Sequence, residues 1–135
     1  MHGYLAPTRE SEMTEAEHAN ARLIDEFVTG WMQPGFDVAK SYAHYLAPKC
    51  VHRMSEEHAP LTTAADCVKA MQDFNASGGA VLEADIKETI ARGPLVIQTR
   101  DDVVRIPGQG DVPFRICALF VVKDGQIVEW NEYFM

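Results

Sequence analysis

The sequence predicts an α+β domain in which three N-terminal helices pack into a strongly curved antiparallel sheet around an internal pocket. Apolar residues recur at helical spacing through the first half of the chain, and from Val81 onward they alternate with a period of two. Glycine and proline mark the divisions. Gly78-Gly79 separates the two regimes, while Gly93-Pro94, Pro107-Gly108-Gln109-Gly110 and Asp124-Gly125 cut the alternating half into four strands.

Residues 1–13 are polar and lack a sustained apolar period, so they are expected to form an arm, with the folded domain spanning 14–135. Thr14 with Glu17 forms a capping box, after which Leu23, Ile24, Phe27, Val28, Trp31 and Met32 follow helical spacing until Pro34-Gly35. Asp37 caps a shorter second helix through Tyr42 and Tyr45, with Pro48 beyond its end. Cys50-Val51-His52-Arg53-Met54 reads as a short strand and Ser55 to Leu61 as a loop. Thr62 or Thr63 caps a third helix carrying Cys67, Val68, Met71 and Phe74. Val81 to Ala91, Leu95 to Ile106, Val112 to Val122 and Gln126 to Phe134 then form an antiparallel meander, Asp124-Gly125 being a tight-hairpin signal.

At 135 residues the chain has the size of one domain with a real core. Its 20 acids against 12 Lys plus Arg, a formal net charge of -8, repel nucleic-acid phosphates and disfavour an anionic membrane surface. No apolar run approaches the roughly 20 residues that span a bilayer. The first residues lack a basic region followed by an apolar core, so a soluble, cytoplasmic protein is expected. Cys50, Cys67 and Cys117 have no metal-site spacing and read as buried reduced thiols.

Strand alternation places Arg100 and Asp102 on one face with Val96 and Val104, and Glu132 on one face with Val128, Trp130 and Phe134. Charge is thereby aimed among apolar side chains. A buried carboxylate or guanidinium costs several kcal/mol unless paired, and two acids sharing one arginine satisfy that requirement. Two such carboxylates titrate as a unit, with an apolar wall expected to raise whichever acid lies farther from the arginine. Asp101 and Arg105 fall on the opposite, solvated face. Arg53 is placed either against an anionic group or paired with Glu56 or Glu57. Tyr42 and Tyr45, at a helix boundary, most simply keep their hydroxyls in water, and His44 and His58 have no partner visible in the sequence.

The element order resembles the nuclear-transport-factor-2-like, or SnoaL-like, cone over residues 14–135. Within it, Thr99-Arg100-Asp101-Asp102-Val103 and Gly125-Gln126-Ile127-Val128-Glu129-Trp130-Asn131-Glu132-Tyr133-Phe134 resemble the two signature strands of the limonene-1,2-epoxide hydrolase family. The resemblance implies hydrolysis of a small apolar epoxide without cofactor or metal: Glu132 as general base on a water, Asp102 as general acid, and Arg100 bridging both. It also implies a pocket including Trp130 and Phe134, and a homodimer through the outer sheet face bearing Leu119 and Val121. Two departures stand out. Glu132 replaces the family's aspartate with a side chain longer by one methylene, about 1 Å of displacement. The family's water-holding tyrosine and asparagine on the strand after the second helix align with Val51 and Arg53. A slip of one residue would instead turn His52 inward, and both registers stand open.

Two other readings of the same residues remain. One is a SnoaL-like cyclase or ketosteroid-isomerase-like isomerase, which shuttles a proton beside a carbonyl and needs no positioned water; Asp102, Tyr42 or Arg53 would then donate to the oxyanion. The other is a non-catalytic ligand-binding module, because a fold by itself warrants no function.

Overall fold

Thr14 begins the first helix with both halves of its capping box formed: its hydroxyl accepts from Glu17 N at 3.1 Å, and the Glu17 carboxylate accepts from Thr14 N at 2.9 Å. The structure, a computed structural model, describes residues 12–135, so most of the expected arm lies outside the described residues. Met13, assigned to that arm, is instead 7% exposed and packs in the core, where the Ala91 amide meets its sulfur.

The order is α1 (Glu15–Gly30), α2 (Val38–Tyr45), β1 (Leu46–Arg53), α3 (Ala64–Ala76), β2 (Ala80–Arg92), β3 (Leu95–Ile106), β4 (Gly110–Lys123) and β5 (Gln126–Phe134). Asp37 caps α2 through Lys40 N, and Thr63 caps α3 through Asp66 N. The strands form one sheet, β1-β5-β4-β3-β2, in which β2 to β5 are the expected antiparallel meander. The first strand departs from expectation twice. It begins at Leu46, directly after α2, and it joins β5 in parallel, so the sheet is mixed. Pro48 therefore lies within a strand, tolerated because β1 is an edge and its pairing is interrupted between Leu46 and Val51.

Bulges curve the sheet around α1. Register shifts fall between Val81 and Glu83 and between Ile86 and Glu88 on β2, and a third leaves Val128 unpaired on β5. That third bulge corrects the simple alternation on β5: Ile127 is fully buried and Val128 is only half-buried, while Trp130 and Glu132 keep the inward face. The hairpin beyond β4 turns through Asp124 and Gly125, both at positive φ (51° and 73°), the twist that a two-residue turn needs.

Ile24, Phe27 and Val28 of α1 are fully buried. Phe27 is the hub of an aromatic cluster, edge-on to Trp31 at 5.4 Å and to Trp130 at 5.1 Å, and tilted against Tyr42 at 5.8 Å. Truncating Phe27 to alanine would cost about 3–5 kcal/mol by the usual cavity penalty. Trp31, Tyr42 and Trp130 of this cluster form part of the wall of an internal cavity.

Candidate active site

Four consecutive inward positions of β3 are buried: Val96, Gln98, Arg100 and Asp102, the last three polar. Such a row survives only if each group finds a partner. Arg100 supplies most of them. Its Nε donates to Asp102 Oδ1 at 3.0 Å and its Nη2 to Asp102 Oδ2 at 3.0 Å, a two-pronged pair within one strand. Nη2 also donates to Glu132 Oε2 at 2.5 Å, reaching across from β5. The arginine side chain is wholly buried, Asp102 is 5% exposed and Glu132 14%. The extra methylene of Glu132 thus does not prevent contact.

Two further groups complete the shell, and the sequence reading passed over both. Nη1 of Arg100 donates to Gln98 Oε1 at 3.1 Å, and the Gln98 amide in turn donates to Asp25 Oδ1 of α1 at 3.0 Å. The Thr89 hydroxyl donates to the same Asp25 oxygen. Above the guanidinium lies Trp31, its ring centroid 5.2 Å from Arg100 Cζ. The alternation that carries Arg100 and Asp102 inward also carries Gln98, but the distant Asp25 on a helix gives no sign in the sequence of being its anchor.

Burial pushes the Asp102 carboxyl above its usual range; the Arg100 guanidinium pulls the other way and the Glu132 charge adds to the rise. Asp102 is raised despite its two-pronged arginine contact, so at this carboxyl burial outweighs the nearby cation. Burial alone would lower the Arg100 pKa, but the charges of Glu132 and Asp102 outweigh it and hold the guanidinium firmly protonated.

This cluster opens on a cavity of about 1110 Å³. Trp130 and Phe134 line it, as the family resemblance implied, and so does His52. The register of β1 is thereby resolved. His52 is 6% exposed and stacked on Trp130 with ring centroids 3.7 Å apart, its Nδ1 3.0 Å from the Trp130 carbonyl. A carbonyl only accepts, so Nδ1 carries the proton and Nε2 is left as an acceptor. Burial lowers the His52 pKa to about 4, so the ring is neutral at ordinary pH.

Val51 and Arg53, one residue to either side, are absent from the cavity wall. Their expected place in the pocket is corrected by strand alternation: once His52 faces in, they face out. Arg53 pairs on the outside with Glu129 at 3.1 Å and Asn131 Oδ1 at 2.8 Å, rather than with Glu56 or Glu57. Asp101 and Arg105 are likewise exterior, paired with Arg115 and Asp111.

Tyr42 was placed with its hydroxyl in water, but it is 2% exposed and lines the cavity. Met54, Leu61, Met71, Phe74 and Ile116 extend the apolar wall, and Glu56, Glu57 and His58 form part of the lining from the loop after β1. Cys50 and Cys67 are buried and their thiols are pushed up to about 12 and 11, while Cys117 is half-buried. Among the described residues no group of three or more His, Cys, Asp or Glu side chains is arranged to hold a metal ion, and no helix is long and apolar enough to cross a membrane.

Solved structures share this cone. A Mycobacterium tuberculosis LEH-like epoxide hydrolase superposes with a TM-score of 0.74 at 22% identity, covering 88% of this chain and 84% of that one. A Jannaschia sp. CCS1 protein assigned to the SnoaL-like polyketide cyclases gives 0.73 at 16% identity, covering 90% and 89%. Bal32a, from a soil-derived mobile gene cassette, gives 0.73 at 13% identity over 89% and 92%. These likenesses establish the nuclear-transport-factor-2-like fold. A search of curated proteins finds no match. The family profile of the limonene-1,2-epoxide hydrolase catalytic domain matches residues 18–135, nearly the whole described chain and both signature strands, and the chain therefore belongs to the limonene-1,2-epoxide hydrolase family.

Proposed function

We propose that this protein hydrolyses an apolar epoxide to a vicinal diol, with Glu132, Asp102 and Arg100 as its catalytic group and no cofactor. The observation that carries the reading is the arginine shared by two acids at the wall of an aromatic cavity, with the Asp102 carboxyl raised by burial. Glu132 takes a proton from water as the water oxygen attacks an epoxide carbon. The ring C–O bond breaks, its electron pair goes to the epoxide oxygen, and that oxygen takes the proton of Asp102. Arg100 stabilises whichever carboxylate is charged at each stage, so no covalent intermediate is needed. Trp130, Phe134 and His52 enclose the substrate. Racemic apolar epoxides incubated with purified protein should yield diol, and Asp102→Asn should cut that yield by about 100-fold or more.

A second reading, proton transfer beside a carbonyl, is favoured by Tyr42 and the burial-raised Asp102 carboxyl lining one cavity, two donors suited to an oxyanion. The SnoaL-like neighbour lends it further support. Enolisable ketones screened beside epoxides separate the two reactions.

The protein is further proposed to be a homodimer through the outer sheet face. Leu95 and Ile97 are 36% and 40% exposed there, and they pair in register with Val121 and Leu119. Sedimentation of the wild type and of Ile97→Lys tests this, a monomeric wild type refuting it.

A further inference from the structure

His52 is fixed at its backbone, its ring face and one ring nitrogen, and the other nitrogen is left unmet. Its N–H donates to the Leu61 carbonyl at 2.8 Å and its carbonyl accepts from Leu61 N at 2.9 Å, while β5 flanks it on the other side with Trp130 in register. The ring stacks on the Trp130 indole and its Nδ1 donates to the Trp130 carbonyl. The two imidazole nitrogens point away from each other, so Nε2 turns from the β5 backbone and presents a lone pair. No described residue donates to it. The sealed and unpartnered polar atoms of this wall are the indole Nε1 of Trp31 and Trp130; His52 Nε2 is not one of them and stays reachable from the cavity that His52 lines.

The charge of the cavity narrows what can meet that lone pair. Asp102 and Glu132 line it inside and Glu56 and Glu57 at its exposed edge, and no Lys or Arg is among the described residues of its wall. His58 is the remaining basic group there, exposed and bonded through Nδ1 to Ser55 Oγ at 2.6 Å. Four carboxylates repel a carboxylate or phosphate ligand. An ammonium ligand would have to shed its water for an uncharged imidazole, a poor exchange in an apolar wall. A neutral hydroxyl meets the acceptor at the least cost. Its place is set by the sheet: Trp130 and Glu132 share one face of β5, so His52 stands one strand across and two residues back from Glu132, about 8 Å between Cα positions by ordinary strand spacings.

We propose that His52 sets the specificity of this site, its Nε2 accepting a hydrogen bond from a hydroxyl on the substrate, and that the substrate is a neutral, largely apolar epoxy alcohol. The inference rests on the epoxide reading for the reacting group and adds the second functional group that the cavity selects. The alcohol O–H donates to Nε2 while the epoxide lies against Asp102 and Glu132, so the two polar ends of the ligand are held apart across the Trp130 wall. His52 keeps its own proton on Nδ1 and takes no part in ring opening. A ligand without the hydroxyl leaves a desolvated acceptor unmet, and an ether in its place brings a lone pair against a lone pair.

The test compares a cyclohexene oxide bearing a hydroxymethyl group across the ring from the epoxide with its methyl ether and its ethyl analogue, on wild type and His52→Phe. The expected wild-type kcat/KM for the alcohol is roughly 10-fold or more above that for either analogue. His52→Phe keeps an aromatic face against Trp130 and removes both nitrogens, so that ratio should fall to near unity, whatever the variant does to turnover of all three. Equal wild-type kcat/KM for alcohol and ether, or a variant that keeps the full preference, overturns the inference. Should the variant fail to fold, the wild-type alcohol-to-ether ratio decides alone, because the ether can accept but not donate. A wild type that opens none of the three overturns the proposed reaction; calorimetric titration with cyclohexylmethanol and its methyl ether then decides this inference, tighter binding of the alcohol supporting it and equal binding overturning it.

Discussion

Gln98 accepts from Arg100 Nη1 at 3.1 Å, through the one guanidinium nitrogen that neither Asp102 nor Glu132 engages. The arginine is thus held at both ends, by acids on one side and by an amide anchored to Asp25 on the other. Gln98→Leu removes that anchor while keeping the volume close. It should lower stability by about 1–3 kcal/mol, the usual cost of stranding buried polar groups, and lower kcat more than it raises KM. Chemical denaturation and steady-state kinetics on the variant check both. Unchanged kcat would mean that Arg100 is positioned without help from Gln98.

Arg100→Met tests the trio as a unit. Two buried carboxylates would lose their shared cation, which in comparable sites costs about 3–5 kcal/mol. The triple variant Arg100→Met, Asp102→Asn, Glu132→Gln should recover much of that loss, since no uncompensated charge remains. A thermal melt series over wild type, Arg100→Met, the double variant Asp102→Asn, Glu132→Gln and the triple variant reads the coupling; additive losses would show that the arginine and the acid pair are energetically independent.

Much of this site could be read from the chain, and the reason is geometric. Arg100 and Asp102 lie two positions apart on a regular stretch of β3, so alternation alone placed them together, and their charge demanded a partner. Glu132 followed for the same reason, because the β5 bulge falls at Val128, before it. Three features were hidden. The parallel pairing of β1 is a tertiary choice with no local signature, and it determines that His52 rather than Val51 and Arg53 faces inward. The burial of Tyr42 depends on how α2 packs against Trp130. Asp25 meets Gln98 across 73 positions of sequence, a separation that no periodicity spans.

The pH behaviour of His52 can be stated with its sign. Its folded pKa of about 4 lies below the ordinary 6.5, so the unfolded chain binds more protons between those values. Stability therefore falls as pH drops from about 6.5 to 4, with His52 contributing a loss of about 3 kcal/mol across that window. His52→Gln should flatten the stability curve there relative to wild type, as measured by urea midpoints at several pH values. A curve of the same slope in the variant would place the titration elsewhere.

Asp102 gives the complementary expectation for activity. A general acid must be protonated, so kcat falls as pH rises through its pKa, and burial moves that limb upward from the ordinary carboxylate range. A pH profile of epoxide turnover should show a descending alkaline limb that is missing from the residual activity of Asp102→Asn. An identical limb in that variant would assign it to another group.

The most direct measurement is diol formation from an apolar epoxide by wild type and Glu132→Gln, a change that keeps the side-chain length but removes the base. The account predicts turnover by the wild type and a loss of about 100-fold or more in the variant, the scale of general-base catalysis, with the fold intact. Undiminished diol formation by Glu132→Gln would contradict it.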